Sequence, residues 1–183
     1  MDIKHSVYIA LFAAITAALG IFPPINIAAL GVPITAQSLA VMLAGGILGA
    51  KRGALSMVLF LVLVAVGLPL LSGGRGGFGI FAGPSGGFLL SWIVGAYVAG
   101  HIVEKAWNKL NVVYAFVAAA VGGIVVVYAI GIPWVAVAAE ISFNKAFVGS
   151  MAYVPGDLIK AVIATAVILV VKKSYPIISK SED

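Results

Sequence analysis

The chain has 183 residues, of which 63% are hydrophobic and 9% charged, with a mean hydropathy of +1.19 and a net charge of +5. So few charges cannot cover the surface of a soluble domain this size, and the apolar residues come in long runs, so an integral membrane protein is implied. There is no cysteine, which excludes disulfides, thiolate chemistry and cysteine metal sites, while the positive charge reads as membrane topology rather than nucleic-acid binding.

A helix needs about 20 mostly apolar residues to cross a bilayer core. Six candidate spans fall at 6–22, 35–50, 53–71, 85–100, 112–131 and 148–171, in a single domain covering 1–183. The first run is too long for the apolar core of a secretory leader and is read as the first span. The second and fourth spans are short, which leaves bilayer thickness for inserted loops. With a cytoplasmic N-terminus, the inner segments carry Lys4, Lys51, Arg52, Lys105, Lys109, Lys172, Lys173 and Lys180. The outer ones carry only Arg75 and Lys145, with Lys160 inside the sixth span. Eight against two places both termini in the cytoplasm.

The first span reads "IALFAAITAALG", in which Ala10, Ala14 and Ala18 repeat every four residues, as do Ala13 and Ala17. Such small-residue faces admit a neighbouring helix, within this chain or from another. The outer connection "PPINIAALGVPIT" (23–35) is apolar and broken by proline, and Gln37 follows it at the start of the second span. Between spans three and four lies "SGGRGGFGIFAGPSGG", glycine-rich with Arg75 at its centre. Non-helical backbone survives at membrane depth only where it lines a cavity or is buried in protein, so this loop reads as part of an outward-facing cavity. Its "GFGIFA" matches a relaxed dinucleotide fingerprint, but no strand–helix unit fits there. "IPWVAVAAEISFNKAF" (132–147) is expected to be an outer loop, with Trp134 at the interface and Glu140 and Lys145 in water.

The sixth span holds the most informative pair. Asp157 precedes Lys172 by fifteen residues, about 22 Å of helix, and Lys160 precedes it by about 18 Å. Both therefore lie inside the hydrocarbon slab, where an ionised side chain costs at least about 2.5–3.5 kcal/mol and needs a partner or a polar cavity. Their i, i+3 spacing puts them on one helix face. Pro155 either kinks this span or opens it as a first-turn residue. A self-neutralising ion pair is one reading; a binding site is the stronger one. Ser85, Ser91 and Tyr153 are further polar groups at similar depth. His5 and His101 fall near cytoplasmic ends. No nucleotide-phosphate motif, catalytic set or carboxylate cluster for a metal can be assembled, so neither an enzyme nor a cofactor is expected.

Three blocks, "VPITAQSLAVMLAGGILG" (32–49), "GLPLLSGGRGGFGIFAGPSGGFLLSW" (67–92) and "VPGDLIKA" (154–161), resemble the BioY family. These are biotin-specific S components of energy-coupling factor (ECF) transporters. The resemblance runs the length of the chain and implies an all-α, six-span protein of the bacterial plasma membrane that binds biotin from outside at high affinity. It also implies a transmembrane T component and two cytoplasmic ATPases that supply the energy. The T-component interface would fall on Ala10 and Ala14, extended by Ala18, and the 23–35 loop would be a lid. An ion-coupled secondary transporter, or an S component for another small vitamin, is the alternative. Biotin offers two ureido N–H donors, a carbonyl, a thioether ring and a carboxylate. Asp157 can accept from the ureido N–H groups, Lys160 can bind either the carboxylate or the ureido oxygen, Gln37 can complement the ureido edge, and Arg75 can grip the carboxylate. Ser85 and Gly74 complete the polar surroundings, and Phe78, Phe88, Trp92 and Tyr153 are candidate walls.

Overall fold

Long apolar stretches interrupted by glycine and proline dictate helices joined by tight breaks, because lipid leaves no partner for unpaired backbone groups. The computed structural model describes residues 3–26 and 30–178, and among these the regular structure is helical throughout. The helices are α1 (Ile3–Leu19), α2 (Ser38–Leu48), α3 (Ala50–Ala65), α4 (Gly86–Lys105), α5 (Val112–Ala138), α6 (Phe143–Ser150) and α7 (Val154–Ser174). Each of the six expected spans corresponds to one of α1–α5 and α7, and α6 is an additional short helix. Lys180, counted among the inner charges, lies outside the described residues, as do residues 27–29 of the first outer loop.

Several boundaries differ from the expectation. The second helix has only 11 residues, about 16 Å of rise, and residues 30–37 fill the remaining depth. The third ends at Ala65 rather than 71. Gly67, at φ +108°, closes it: Gly67 N–H donates to Val64 O and Leu68 N–H to Leu63 O, at 3.0 and 3.2 Å, and Pro69 prevents continuation. The fourth is full length, at 20 residues.

The largest correction concerns 132–147, which is not a loop. The fifth helix runs through Pro133 to Ala138, burying Ile132 and Val135. Chain reversal comes only at Glu140, at φ +53°. Proline is tolerated inside a membrane helix where neighbours re-satisfy the freed backbone. Ser142 then caps α6 by accepting from Lys145 N–H at 3.3 Å. Upstream, Val121–Val126 of α5 is a π-helical segment. Its Gly122 lies against the Gly95 carbonyl of α4.

The core is made of small and branched residues shared by α2, α4, α5 and α7, including Ala40, Val41, Ala96, Ala118 and Ala164. Tyr8 of α1 donates to Tyr175 at 3.3 Å, which puts both ends of the described chain on one side of the bundle. On that side Lys172 Nζ donates to Leu110 O at 3.3 Å and lies 5.4 Å from the Trp107 ring centroid.

Candidate functional site

At the opposite end, the N-termini of α2, α4 and α7 converge with the two glycine- and proline-broken loops. Pro155 stands in the first turn of α7, so it opens the helix rather than kinking it. That places Asp157 in the first turn, where the helix dipole favours a carboxylate. Asp157 is only 6% exposed.

A closed network surrounds it. Lys160 Nζ donates to Asp157 Oδ1 at 2.8 Å, to Thr35 O at 2.7 Å and to Ser38 Oγ at 2.9 Å. Ser38 Oγ donates in turn to Asp157 Oδ1 at 3.1 Å, and Tyr128 OH donates to Asp157 Oδ2 at 2.7 Å. All three ammonium hydrogens are engaged. The carboxylate, with about four acceptor positions, takes three donors and keeps one position on the Oδ2 side. The pair thus satisfies itself, as a buried ion pair must, while retaining acceptor capacity.

This network borders a cavity of about 580 Å³ including its open mouth. Aromatic rings wall it. Phe88 meets Tyr128 and Tyr153 edge-on, with centroids 6.0 and 6.1 Å apart, and Trp92 stacks on Phe60 at 6.1 Å. Tyr153 OH donates to Val32 O at 2.9 Å, which ties the first outer loop to the site. Ser85 Oγ and Trp92 Nε1 line the cavity and hydrogen-bond to none of the described residues.

Arg75 also lines the cavity, from the glycine loop. Leu71 and Arg75 exchange backbone hydrogen bonds at 3.0 and 3.2 Å, across a turn that needs Gly73 and Gly74 at φ +80° and +68°. Arg75 Nε donates to Ser72 O at 3.2 Å, leaving the terminal guanidinium nitrogens without a partner among the described residues. Partial burial pulls its pKa below the ordinary value, and the group stays charged. The first outer loop contributes Val32, Pro33 and Ile34, steadied by the antiparallel Ile25–Ile34 pair.

The structure therefore brings together Asp157, Lys160, Arg75, Ser85, Phe88, Trp92 and Tyr153. Gln37 borders the cavity, but its amide is spent on main chain. Nε2 donates to Thr16 O and Leu70 O at 2.9 and 3.0 Å, and Oε1 accepts from Ser72 N–H at 2.9 Å. Two expected residues fall outside. Gly74 shapes the turn without lining the cavity, and Phe78, 76% exposed, packs on Phe81 instead. Phe78 begins a 3₁₀ turn whose direction sends its ring away from the cavity. Sequence reasoning missed Tyr128 and Ser38. The signal for Ser38 was its position beside Gln37; for Tyr128 it was a lone phenol within an apolar span. On α1, Ala10, Ala14 and Ala18 face outward, whereas Ala13 is buried.

Comparison with known proteins fits this geometry. A family model described as the BioY family matches residues 1–177. A biotin transporter BioY of Rhizobium etli is 52% identical over 183 residues, covering 97% of this chain and 98% of its own. Another, from Rhodobacter capsulatus, is 44% identical over 182 residues, covering 94% and 95%. A crystal structure of the S-component for biotin from an ECF-type ABC transporter superposes with a TM-score of 0.91 at 31% identity, over 96% of this chain and 94% of that one. Matched in sequence and fold along nearly its whole length, the chain belongs to the BioY family.

Proposed function

We propose that this chain captures biotin as the S component of an ECF-type transporter in the bacterial plasma membrane, with no catalytic activity of its own. The carrying observation is the buried Asp157–Lys160 pair opening onto an aromatic cavity, in a chain whose relatives are biotin transporters. The terminal nitrogens of Arg75, unpartnered among the described residues, suit a bidentate carboxylate contact, so the valerate end is assigned to it. The ureido ring then meets the other polar cluster. One N–H reaches the open acceptor position of Asp157, and the ureido oxygen takes a hydrogen from Ser85. The thioether ring lies among Phe88, Trp92 and Tyr153.

The many lysines at the end opposite the site favour a cytoplasmic location for both termini and an outward-opening cavity. Energy comes from partners, a transmembrane T component and two ATPases, and the exposed alanine row of α1 is the surface offered to the first of these.

The test is equilibrium binding of biotin and desthiobiotin to the purified chain, alongside Asp157→Asn and Lys160→Gln. The parent binds biotin tightly, and desthiobiotin, which keeps the ureido and carboxylate groups but lacks the sulfur, binds more weakly. Each variant loses about a hundredfold, because a buried charge is left without its partner. Unchanged affinity in both variants would remove the site assignment, and a folded parent that does not bind biotin would remove the function.

A further inference from the structure

A second cavity lies at the end of the bundle that carries the termini, about 820 Å³ including its mouth. His5 of α1, Lys51 and Arg52 of α3, and Tyr97, His101 and Glu104 of α4 line it. Glu104 is already engaged, since its Oε1 accepts from Ala50 N–H at 2.9 Å. Arg52 is held in place by donating to Leu48 O at 2.8 Å and Ile177 O at 3.3 Å. Lys51, His5 and His101 are exposed and hydrogen-bond to none of the described residues. The imidazole of His101 stacks on Tyr97, centroids 6.1 Å apart and planes within 9°. Two cations and two imidazoles outnumber one carboxylate, which is turned onto the Ala50 N–H, so the cavity favours an anion.

What lies below the cavity selects the kind of anion. On α3, Lys51, Leu55, Val58 and Val62 follow one another at i, i+4, i+7 and i+11, and all are exposed. On α4, His101, Tyr97, Val94 and Leu90 do the same in the reverse direction. Each row therefore runs from a cavity residue down an apolar helix face for eleven residues, about 16 Å. That is about half of a 30 Å hydrocarbon core, the depth of one leaflet. A soluble anion has no use for such tracks.

We infer that this cavity and the two tracks below it bind an anionic phospholipid. Its phosphate sits against Lys51, Arg52 and His101, and its acyl chains lie along Leu55–Val58–Val62 and Tyr97–Val94–Leu90. Lys51 and Arg52 set the preference for a net negative headgroup over a zwitterionic one. The site is separate from the alanine row, because His5 shares its helix face with the buried Ile9, Phe12 and Thr16. It is also independent of the biotin assignment.

The experiment is native mass spectrometry of the purified chain equilibrated with equal amounts of phosphatidylglycerol and phosphatidylcholine of matched acyl chains. The parent retains phosphatidylglycerol in about fivefold preference, as expected from roughly one well-placed cation. In Lys51→Gln the preference falls, and in Lys51→Gln/Arg52→Gln it is lost. The thermal unfolding midpoint of the same samples reports folding, and the exposed single variant gives the answer if the double variant is unstable. No headgroup preference in the parent, or the same preference in folded variants, overturns the proposal. Displacement of the lipid by millimolar inorganic phosphate would show a soluble-anion site, and loss of T-component assembly without any lipid preference would show a protein contact; either outcome also overturns it.

Discussion

Gln37 and Asp157 are both buried polar groups beside the same cavity, yet the structure gives them different work. Every polar atom of the Gln37 amide is bonded to main chain, linking α1 at Thr16, the end of the α3 connection at Leu70 and the glycine loop at Ser72. A residue that satisfies three backbone groups holds the walls of a site. Replacing it by methionine leaves two carbonyls and one N–H without their side-chain partner. At about 1 kcal/mol for each net hydrogen bond, the loss is about 3 kcal/mol. Gln37→Met is expected to lower the thermal unfolding midpoint in detergent markedly. An unchanged midpoint would mean that the amide serves the ligand instead. The asymmetry also explains what is legible in the sequence. Asp157 and Lys160 stand out because no apolar run hides a charge at that depth. Gln37 stands out as polar, but its partners are set by loops far away in sequence. Tyr128 and Ser38 could not be told from the packing donors that membrane helices commonly carry, and an aromatic such as Phe78 in an irregular loop gives no sign of which way its ring will turn.

At the level of elements, the existence and order of the helices follow from hydropathy, whereas their contacts follow from close approaches that hydropathy does not record. The α4–α5 crossing is the clearest case. A Cβ on Gly95 would lie 2.5 Å from the Gly122 carbonyl and 3.1 and 3.2 Å from Val127 and Val41. Neither helix can withdraw freely, because Val127 is next to Tyr128, whose hydroxyl holds Asp157. Gly95→Ala should therefore cost about 1–3 kcal/mol through overpacking and shift Tyr128 relative to α7. The expected result is a lower unfolding midpoint together with weaker biotin binding, read by calorimetry on one preparation; a fully parental profile would show that the seam is looser than its geometry. The same reasoning accounts for the misplaced boundary of α5. Pro133 is a sound breaker in water, but the buried Ile132 and Val135 on either side of it keep the helix going in a bilayer.

Considered as a whole, the molecule separates its proposed binding and docking surfaces along the membrane normal and around its circumference. Polar chemistry is gathered at one end, cationic side chains at the other, and the outward row Ala10–Ala14–Ala18 occupies a third surface that touches neither. A binding cavity supplies no energy by itself, so occupancy there must be read by a partner through a surface rather than through the ligand. Alanines at i, i+4 and i+8 let another helix approach α1 closely, and a leucine at that position would hold the two backbones apart. Ala10→Leu/Ala14→Leu, tested by co-purification with the proposed T component and its ATPases, is expected to abolish assembly. Because both side chains point away from the core, the double variant should keep the parental unfolding midpoint and bind biotin as the parent does. Assembly that survives the substitution would place the partner on another face of the bundle. Lost biotin binding with assembly intact would mean that α1 couples to the cavity through Thr16 and Gln37, and that the two surfaces are not separate.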